Sequence, residues 1–432
     1  MKLTVDSETS RHRVIGYAVV WLAGGLFAAM AVAQFMPAAI ANPGAPMTTE
    51  VLEAAVRYFP GAAALQARLA ARLIDGDAAP DESHDQVAAR AYDHAVRAAK
   101  AAPANYEYRI LLGVAAEQKG DMRSAESALR AAQVLAPANM NVNWLLANFL
   151  LRAGKAEDAL KHFQVVAAAD PGKLPIALNL VWQAMDGNLE ALRTVPPETP
   201  RGRLALASFL LGQERPVEAA AALDGVDRDG LLTLPESGQV IDRLIGLGQY
   251  EPAFGLWRRL AVESGETPAE GVWNGGFELP MRAGLTQFDW MLGQSKYARI
   301  QAAPGTGRTG QRALQIAFQG VNTTRFDEEM RQLIRVAPGG RYRLEGFVKA
   351  NAFAGPEPGP QVTITLPGTK ALLAASAPIP VGTYDWIPVT VEFDVPADAR
   401  ALLLSIKQTP ALSYADPTTG TLWFDDFVLT GR

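Results

Sequence analysis

The feature that most constrains this chain is a repeat of 34 residues in its first half. Four kinds of residue return at this interval, which chance alone seldom produces. They are Pro103, Pro137 and Pro171, Gly120 and Gly154, Ala125 and Ala159, and Leu112 and Leu146. A period of this length indicates units that stack on one another, because each unit has an apolar face that only a neighbour covers. This part of the chain is therefore predicted to be an array of stacked units.

The spacings resemble those of the tetratricopeptide repeat, with one unit at residues 106–139 and the next at 140–173. Each unit of that family is a pair of antiparallel helices. On this pattern the small Gly113 lets the paired helix approach, Gly120 breaks the chain between the helices, and Pro137 ends the unit. The resemblance implies a curved α-solenoid whose concave groove binds extended peptides or partner proteins.

The repeat pattern continues less regularly on both sides of these units. It predicts about five helix pairs over residues 50–265. Polar residues that lie close together on one first helix are the candidates for the groove. They are Asn141, Asn143 and Asn148. The alternative is that these side chains are simply solvated on an exposed helix face.

Residues 14–36 form an apolar, uncharged stretch near the start of the chain. A helix of about 20 such residues spans the hydrocarbon core of a bilayer. A basic cluster at 11–13 precedes the stretch, whereas the linker at 37–49 carries no charge, so the positive-inside rule keeps residues 1–13 in the cytoplasm. This predicts a single-pass inner-membrane protein with the bulk of the chain in the periplasm.

A cleaved signal peptide is the alternative interpretation of the same stretch. Ala39, Ile40 and Ala41 form the small-x-small pattern that a signal peptidase accepts. The apolar stretch is long for a signal peptide, which favours the uncleaved anchor. Both alternatives export the rest of the chain.

After residue 265 the helical pattern gives way to short runs that alternate apolar and polar residues between Gly, Pro and Asn. Such runs predict antiparallel strands in two packed sheets. Four landmarks resemble those of jelly-roll carbohydrate-binding modules of the galactose-binding-like superfamily. They are Asn274-Gly275-Gly276-Phe277-Glu278, Val336-Ala337-Pro338-Gly339, Tyr384-Asp385-Trp386 and Trp423-Phe424-Asp425-Asp426. The predicted fold is multidomain α + β: an N-terminal transmembrane helix, an α-solenoid of helix hairpins and, at 266–432, an antiparallel β-sandwich of the jelly-roll type.

The resemblance implies that the β-sandwich binds sugar. Sugar rings stack on exposed aromatic side chains while nearby polar groups meet their hydroxyls. The aromatic candidates are Trp290, Phe326, Trp386, Tyr414 and Trp423. The alternative is that most of these rings belong to the core or its edge, as the tryptophans that match Trp290 and Trp386 do in the family.

A structural calcium ion is the one cofactor that the resemblance implies. In the family this ion commonly ties the first strand to the last, and Glu278 and Asp425 match its ligands. Carboxylate and carbonyl oxygens are the ligands that calcium prefers. An aspartate that caps a turn would explain Asp425 equally well.

Composition and motifs exclude several classes of function. The net charge of −5 leaves no basic surplus for nucleic acid. The absence of cysteine excludes disulfides, thiolate metal sites and cysteine nucleophiles. All four histidines precede residue 265, and the sequence has neither a glycine-rich phosphate loop nor a nucleophile elbow. These features predict that the chain is not an enzyme.

Two functions of different class remain. The first is a membrane-anchored periplasmic scaffold that gathers protein partners of the envelope through its repeats and contacts polysaccharide through its β-sandwich. This scaffold would be an accessory to polysaccharide synthesis or export. The second is a purely protein-binding assembly scaffold with no sugar site. Exposure of the candidate aromatic rings discriminates between the two.

Overall fold

The computed structural model describes most of the chain after residue 46. The described residues are 36, 47–77, 82–261, 271–281, 284–322, 324–327, 329–409 and 417–432. Except for Met36, the predicted anchor at 14–36 lies outside these residues, and so does Tyr414. Within the described part of the chain, no helix combines the length and the apolar character needed to cross a bilayer.

The chain divides into two compact units, the first ending at Pro197 and the second running from Glu198 to Arg432. The first unit is helical in its described residues. Its helices are α1 (Thr49–Tyr58), α2 (Ala63–Ile74), α3 (His84–Ala101), α4 (Tyr106–Gln118), α5 (Met122–Leu135), α6 (Met140–Arg152), α7 (Ala156–Ala169), α8 (Leu174–Ala184) and α9 (Leu189–Thr194). The pairs α4/α5 and α6/α7 coincide with the two most regular predicted repeats.

The repeat period fixes where these helices begin and end. Asn105 and Asn139, one period apart, cap α4 and α6, and each Oδ1 accepts a backbone N–H of the first helical turn, at 2.8 and 3.1 Å. Gly120 and Gly154 follow the same two helices with φ angles of +82° and +73°. This left-handed backbone suits glycine and turns the chain into the second helix of each pair.

Small residues let the two helices of a pair pack closely. A Cβ at Gly113 on α4 would lie 2.6 Å from Cγ of Leu129 on α5. Ala125 on α5 and Ala159 at the same repeat position on α7 are fully buried. Close packing of this kind removes apolar surface from water and confirms the repeat prediction.

The second unit combines helices with two β-sheets. Its helices are α10 (Pro200–Gly212), α11 (Pro216–Ala222), α12 (Arg228–Leu232), α13 (Glu236–Gly246) and α14 (Tyr250–Ala261). Its strands are β1 (Met291–Leu292), β2 (Ala298–Pro304), β3 (Arg312–Phe318), β4 (Met330–Arg335), β5 (Arg341–Ala354), β6 (Gln361–Thr365), β7 (Leu372–Ala375), β8 (Gly382–Asp394), β9 (Ala401–Lys407) and β10 (Thr419–Gly431). The compact units divide at residue 197, whereas the change from helix to strand comes after α14, near the predicted boundary at 265.

The strands form two five-stranded antiparallel sheets, in the orders β1-β4-β9-β6-β7 and β2-β3-β10-β5-β8. Side chains of both sheets form one apolar core, which includes Leu404 of β9 and Phe424 of β10. On β10 the buried Leu422 and Phe424 flank the half-buried Trp423, so Trp423 lies on the outer face. The antiparallel β-domain is confirmed, and its jelly-roll connectivity stays a prediction.

Aromatic side chains join α14 to the segment that leads into the sheets. Trp257 of α14 is fully buried, with ring centroids of Trp273 and Phe288 at 5.8 and 5.6 Å. The Nε1–H of Trp257 donates to the carbonyl of Leu285 at 2.8 Å. Phe254, one turn earlier, stacks on Trp257 at 5.5 Å. The last helix is therefore packed into the second unit.

We expect Trp257→Ala to lower the free energy of unfolding of the second unit by about 3–5 kcal/mol, because it leaves a cavity among buried rings. The carbonyl of Leu285 also loses its donor. Denaturant unfolding of the full-length chain, followed by near-ultraviolet circular dichroism, measures the loss. The matched control is Trp386→Ala, a half-buried tryptophan, for which we expect a loss of about 1 kcal/mol. Equal losses in the two variants would contradict the packing role of Trp257.

Candidate functional site

The three asparagines predicted for the repeat groove occupy different environments on α6. Asn141 is exposed and Asn148 is half-buried. Asn143 is fully buried, and its Nδ2 donates to the carbonyls of Pro137 and Asn139 at 2.8 and 2.9 Å. Asn143 therefore ties the start of α6 to the preceding turn, which corrects its assignment to the groove.

A buried histidine completes the contacts of Asn143. Nδ1 of His162 lies 2.8 Å from Oδ1 of Asn143, so Nδ1 carries the proton of the neutral ring. Nε2 of His162 is buried and has no hydrogen-bond partner among the described residues. Burial lowers the pKa of His162 to about 4, and nearby cations act in the same direction. His94, two repeat periods earlier, makes the same contact with Gln66 at 2.7 Å, and burial lowers its pKa as well.

Half-buried side chains on successive first helices remain as the candidate groove. Val114, Asn148 and Trp182 share one repeat position on α4, α6 and α8, so they lie on the same side of the stack. Trp144, on the same helix as Asn148, is half-buried, and Nζ of Lys173 lies 4.9 Å from its ring centroid. We name these four side chains the repeat groove: Val114, Trp144, Asn148 and Trp182.

An ion pair links two of the helices that carry the repeat groove. Nε and Nη2 of Arg152 on α6 donate to the two carboxylate oxygens of Glu117 on α4, at 2.7 and 3.0 Å. A bidentate pair of this kind has a fixed geometry. The first helices thus present aromatic, amide and charged side chains in set positions, which suits recognition of an extended segment.

Two of the predicted sugar-binding aromatics lie in the core of the sandwich. Trp290 is fully buried, its Nε1–H donates to the carbonyl of Asn274 at 3.1 Å, and its ring centroid is 5.0 Å from that of Phe277. Phe326 is also buried. An enclosed ring cannot stack on a sugar, which corrects the assignment of these two residues to the site. Tyr414 lies outside the described residues.

Trp386 and Trp423 are half-buried and lie close together on the outer face of one sheet. Trp423 on β10 pairs with Gln315 on β3 and with Lys349 on β5. A register shift on β8 brings Asp385 and Trp386 opposite Lys349, and Nζ of Lys349 is 3.1 Å from Oδ1 of Asp385. The two indole rings therefore flank Lys349, with their strands about 10 Å apart.

A phenylalanine that the sequence interpretation missed extends this surface. Phe347 is half-buried two residues before Lys349 on β5, and the guanidinium carbon of Arg308 lies 3.5 Å from its ring centroid. Nε1 of Trp423 is buried and has no hydrogen-bond partner among the described residues. The two-residue alternation of the β5 sequence was the signal that could have identified Phe347, because it places this residue on the same face as Glu345 and Lys349. We name this surface the aromatic face: Phe347, Lys349, Trp386 and Trp423.

The predicted calcium ligands Glu278 and Asp425 converge on the loop between β2 and β3. Oε1 of Glu278 accepts two backbone N–H groups at 2.7 Å, and the two oxygens of the buried Asp425 accept those of Arg308 and Asp426. The Arg308 guanidinium also lies 2.7 Å from the Asp426 carboxylate. Backbone N–H donors thus occupy one oxygen of Glu278 and both oxygens of Asp425, so a calcium ion bound here would have to displace or share them. The described residues contain no group of three His, Cys, Asp or Glu that could hold a metal, and calcium stays a prediction.

Two buried carboxyl groups of the sandwich have pKa values raised above the usual value for aspartate. Burial raises the pKa of Asp425 to about 6, although backbone N–H donors act in the opposite direction. Burial also raises the pKa of Asp289 to about 6. These two groups therefore bind protons more tightly in the folded than in the unfolded chain, and the stability that they contribute is lost as the pH rises from 3.8 through about 6.

Comparison with known proteins supports the repeat assignment. The family model described as tetratricopeptide repeat matches residues 86–139 and 120–173. No curated protein matches the chain. The chain thus contains tetratricopeptide repeats followed by a C-terminal antiparallel β-sheet domain, as the sequence predicted.

Solved structures of both kinds of domain are similar to parts of this chain. One, described by the words "CBM4 structure and function", is 17% identical with a TM-score of 0.27 and covers 37% of this chain and 99% of its own. The CBM22-1-CBM22-2 tandem domain of Paenibacillus barcinonensis Xyn10C is 14% identical with a TM-score of 0.27 and covers 39% of this chain and 52% of its own. YrrB, a TPR protein with an unusual peptide-binding site, is 13% identical with a TM-score of 0.25 and covers 49% of this chain and 91% of its own. Because the TM-scores are this low, these similarities do not show which ligand this chain binds or what activity it has.

We expect the stability of the repeats to rise with pH between about 4 and 6.5, because the unfolded chain, in which the pKa of His162 is 6.5, takes up the proton first. Each unit of pKa difference corresponds to about 1.4 kcal/mol, so the loss on acidification is on the order of 3 kcal/mol. His162→Gln keeps a donor for Asn143 without titrating and should remove most of this dependence. Denaturant unfolding at several pH values, with the exposed His84→Gln as control, measures it. An unchanged pH dependence in His162→Gln would refute the assignment.

Proposed function

We propose that this chain is a non-catalytic scaffold that binds a partner protein through its repeat groove and glycan through its aromatic face. The observation that carries the proposal is the match of residues 86–173 to the tetratricopeptide repeat family, which includes α4 and α6, two of the three helices of the repeat groove. The residues of both surfaces are of different types from those that form a catalytic centre. They offer aromatic rings, amides and paired charges, which hold a ligand without transferring a proton or a bond.

The repeat groove suits an extended peptide from a partner protein. Trp144 and Trp182 offer apolar rings to side chains of the peptide, and the amide of Asn148 can bond both backbone N–H and C=O groups. Lys173 and the pair of Arg152 with Glu117 bring charges close to these rings.

The aromatic face suits a glycan chain. Sugar rings present apolar C–H faces to indole rings and hydroxyl groups to nearby polar side chains. Trp386 and Trp423 supply the indole rings, while Gln315, Lys349 and Asp385 supply donors and acceptors along the same row of the sheet. The spacing of about 10 Å between the two strands would let both rings contact one oligosaccharide.

We further propose that the scaffold is anchored in the inner membrane and works in the periplasm, as an accessory to polysaccharide synthesis or export. The apolar stretch at 14–36 with its basic flank supports the anchor and its orientation. If the partner protein belongs to the enzyme complex that makes or exports the polysaccharide, a chain that binds both would hold this complex close to the polysaccharide.

A purely protein-binding scaffold is the second candidate. The burial of Trp290 and Phe326 favours it, because two of the five predicted sugar-binding rings serve the core. In this case the aromatic face is a further protein contact, and glycan is not a ligand.

Affinity electrophoresis of the full-length chain in gels that contain bacterial polysaccharides tests the glycan role. We expect a retained band, and we expect Trp386→Ala and Trp423→Ala to weaken retention about tenfold, because each removes an apolar ring contact. Val428→Ala, an exposed residue elsewhere on β10, is the control and should leave retention unchanged. Migration of the parent chain that no polysaccharide alters would leave only the protein-binding candidate.

A peptide array made from envelope proteins of the same cell tests the repeat groove. We expect a subset of extended peptides to bind, and we expect Trp144→Ala combined with Asn148→Ala to weaken them about tenfold or more, as for central contacts of other interfaces. Val134→Ala, which is exposed on the second helix α5, is the control. Peptides that bind the double variant as tightly as the parent chain would place the partner site elsewhere.

A further inference from the structure

A cavity of about 400 Å³ lies in the second unit, where the first turn of α14 meets one end of the β-sandwich. Its walls come from α14, the end of β4, the turn before β5, and β10. The cavity shares no lining residue with the aromatic face. Its volume is in the range of small-molecule sites, about 300–1,000 Å³. The residues that give it its chemistry are Tyr250, Arg335, Pro338, Tyr342, Arg400 and Leu429.

Arg335 holds one positive charge in a fixed position on the cavity wall. Its Nη2 donates to the carboxylate of Glu251, and its guanidinium carbon lies 4.4 Å from the ring centroid of Phe254. The side chain is 25% exposed, so solvent screens its charge less than that of a surface arginine. A guanidinium already fixed by two contacts loses little freedom when a ligand arrives.

Arg400 supplies a second positive charge that is open to a ligand. Its backbone carbonyl accepts the N–H of Val336, which places Arg400 beside the end of β4. Its side chain is exposed and forms no ion pair with any residue in the described part of the chain. The charged lining residues are thus Arg335, Arg400 and Glu251, which leave an excess of one positive charge.

The remaining lining groups combine hydroxyl donors with apolar surface. Oη of Tyr342 accepts the N–H of Ala337 at 2.9 Å, so its own hydrogen is available to a ligand. Tyr250 is half-buried, and burial raises its pKa, so its hydroxyl also stays a donor at neutral pH. Pro338 and Leu429 add apolar walls. The cavity therefore offers cationic and hydroxyl donors around a patch that attracts apolar groups.

We propose that this cavity binds a carboxylated sugar ring, the uronic acid unit of an acidic glycan. The carboxylate would accept a bidentate pair of hydrogen bonds from Arg400, near the charge of Arg335. The tyrosine hydroxyls would donate to sugar oxygens, and Pro338 and Leu429 would contact the C–H face of the ring. This inference rests on the proposed glycan role and deepens it, because it names the chemical class of the glycan. A neutral sugar would leave Arg400 unpaired, and a phosphate ion would leave the apolar walls uncovered.

Isothermal titration calorimetry of the detergent-solubilised full-length chain tests the proposal with D-glucuronate, D-glucose and inorganic phosphate as probes. We expect glucuronate to bind about tenfold or more tightly than D-glucose, because its carboxylate accepts charge-assisted hydrogen bonds, and than phosphate, because its ring covers the apolar walls. Arg400→Ala should weaken glucuronate about tenfold, and Tyr250→Phe, which removes one hydroxyl and keeps the ring, should weaken it several-fold. Arg299→Ala, which removes an equal charge from the exposed face of β2, is the matched control and should bind glucuronate like the parent.

The outcomes separate this inference from the proposed function. Loss of glucuronate binding in Arg400→Ala but not in Arg299→Ala or Trp423→Ala supports the cavity. Phosphate that binds as tightly as glucuronate overturns the sugar assignment, and equal weakening by Arg299→Ala and Arg400→Ala overturns the cavity as the site. Retention of neutral polysaccharide that depends on Trp423, together with no glucuronate binding, overturns this inference and leaves the proposed glycan role intact.

Discussion

Coverage of apolar helix faces is the constraint on which the rest of this structure depends. A helix pair buries the surface between its own two helices and leaves a second apolar face that a neighbour must cover. Close stacking needs small residues at the contacts, and Gly113 meets the side chain of Leu129 where a larger residue would collide. It also needs each pair to begin and end at the same place, which the caps Asn105 and Asn139 achieve. Because the helix pairs stack regularly, the side chains of the repeat groove lie at equivalent positions on successive first helices.

The same constraint explains why the last helices belong to the unit that holds the sheets. A helix with one apolar face needs a neighbouring element that covers this face. In the second unit Trp257 of α14 is fully buried against Trp273 and Phe288, which lie on the segment that leads into the first strands. The packing of these rings makes α14 part of the same compact unit as the sandwich. The cavity that contains Arg335 and Arg400 lies where α14 meets the sandwich.

Polar groups in this molecule fall into two sets with different uses. The buried set is tied inward: Asn143 with His162 holds the start of a repeat, and Asp425 holds the loop between β2 and β3 through backbone N–H groups. The other set faces outward from rigid elements, as Lys349 does between two indole rings and Arg400 does at the cavity. Rigid elements that present aromatic, amide and charged groups are what ligand recognition requires, and this agrees with the proposed scaffold.

The sequence by itself determined the local periodicities. The 34-residue spacing predicted the helix pairs, and the two-residue alternation predicted the antiparallel strands, because both are set by the geometry of a helix or a strand and need only neighbours in the chain. The candidate binding sites could be predicted only in part. Trp423 on the outer face agrees with its strand pattern, whereas Trp290 and Asn143 have residue types typical of binding sites and proved to be buried. Only the tertiary structure decided these environments, the division at residue 197 and the cavity, since each depends on segments far apart in the chain that pack together.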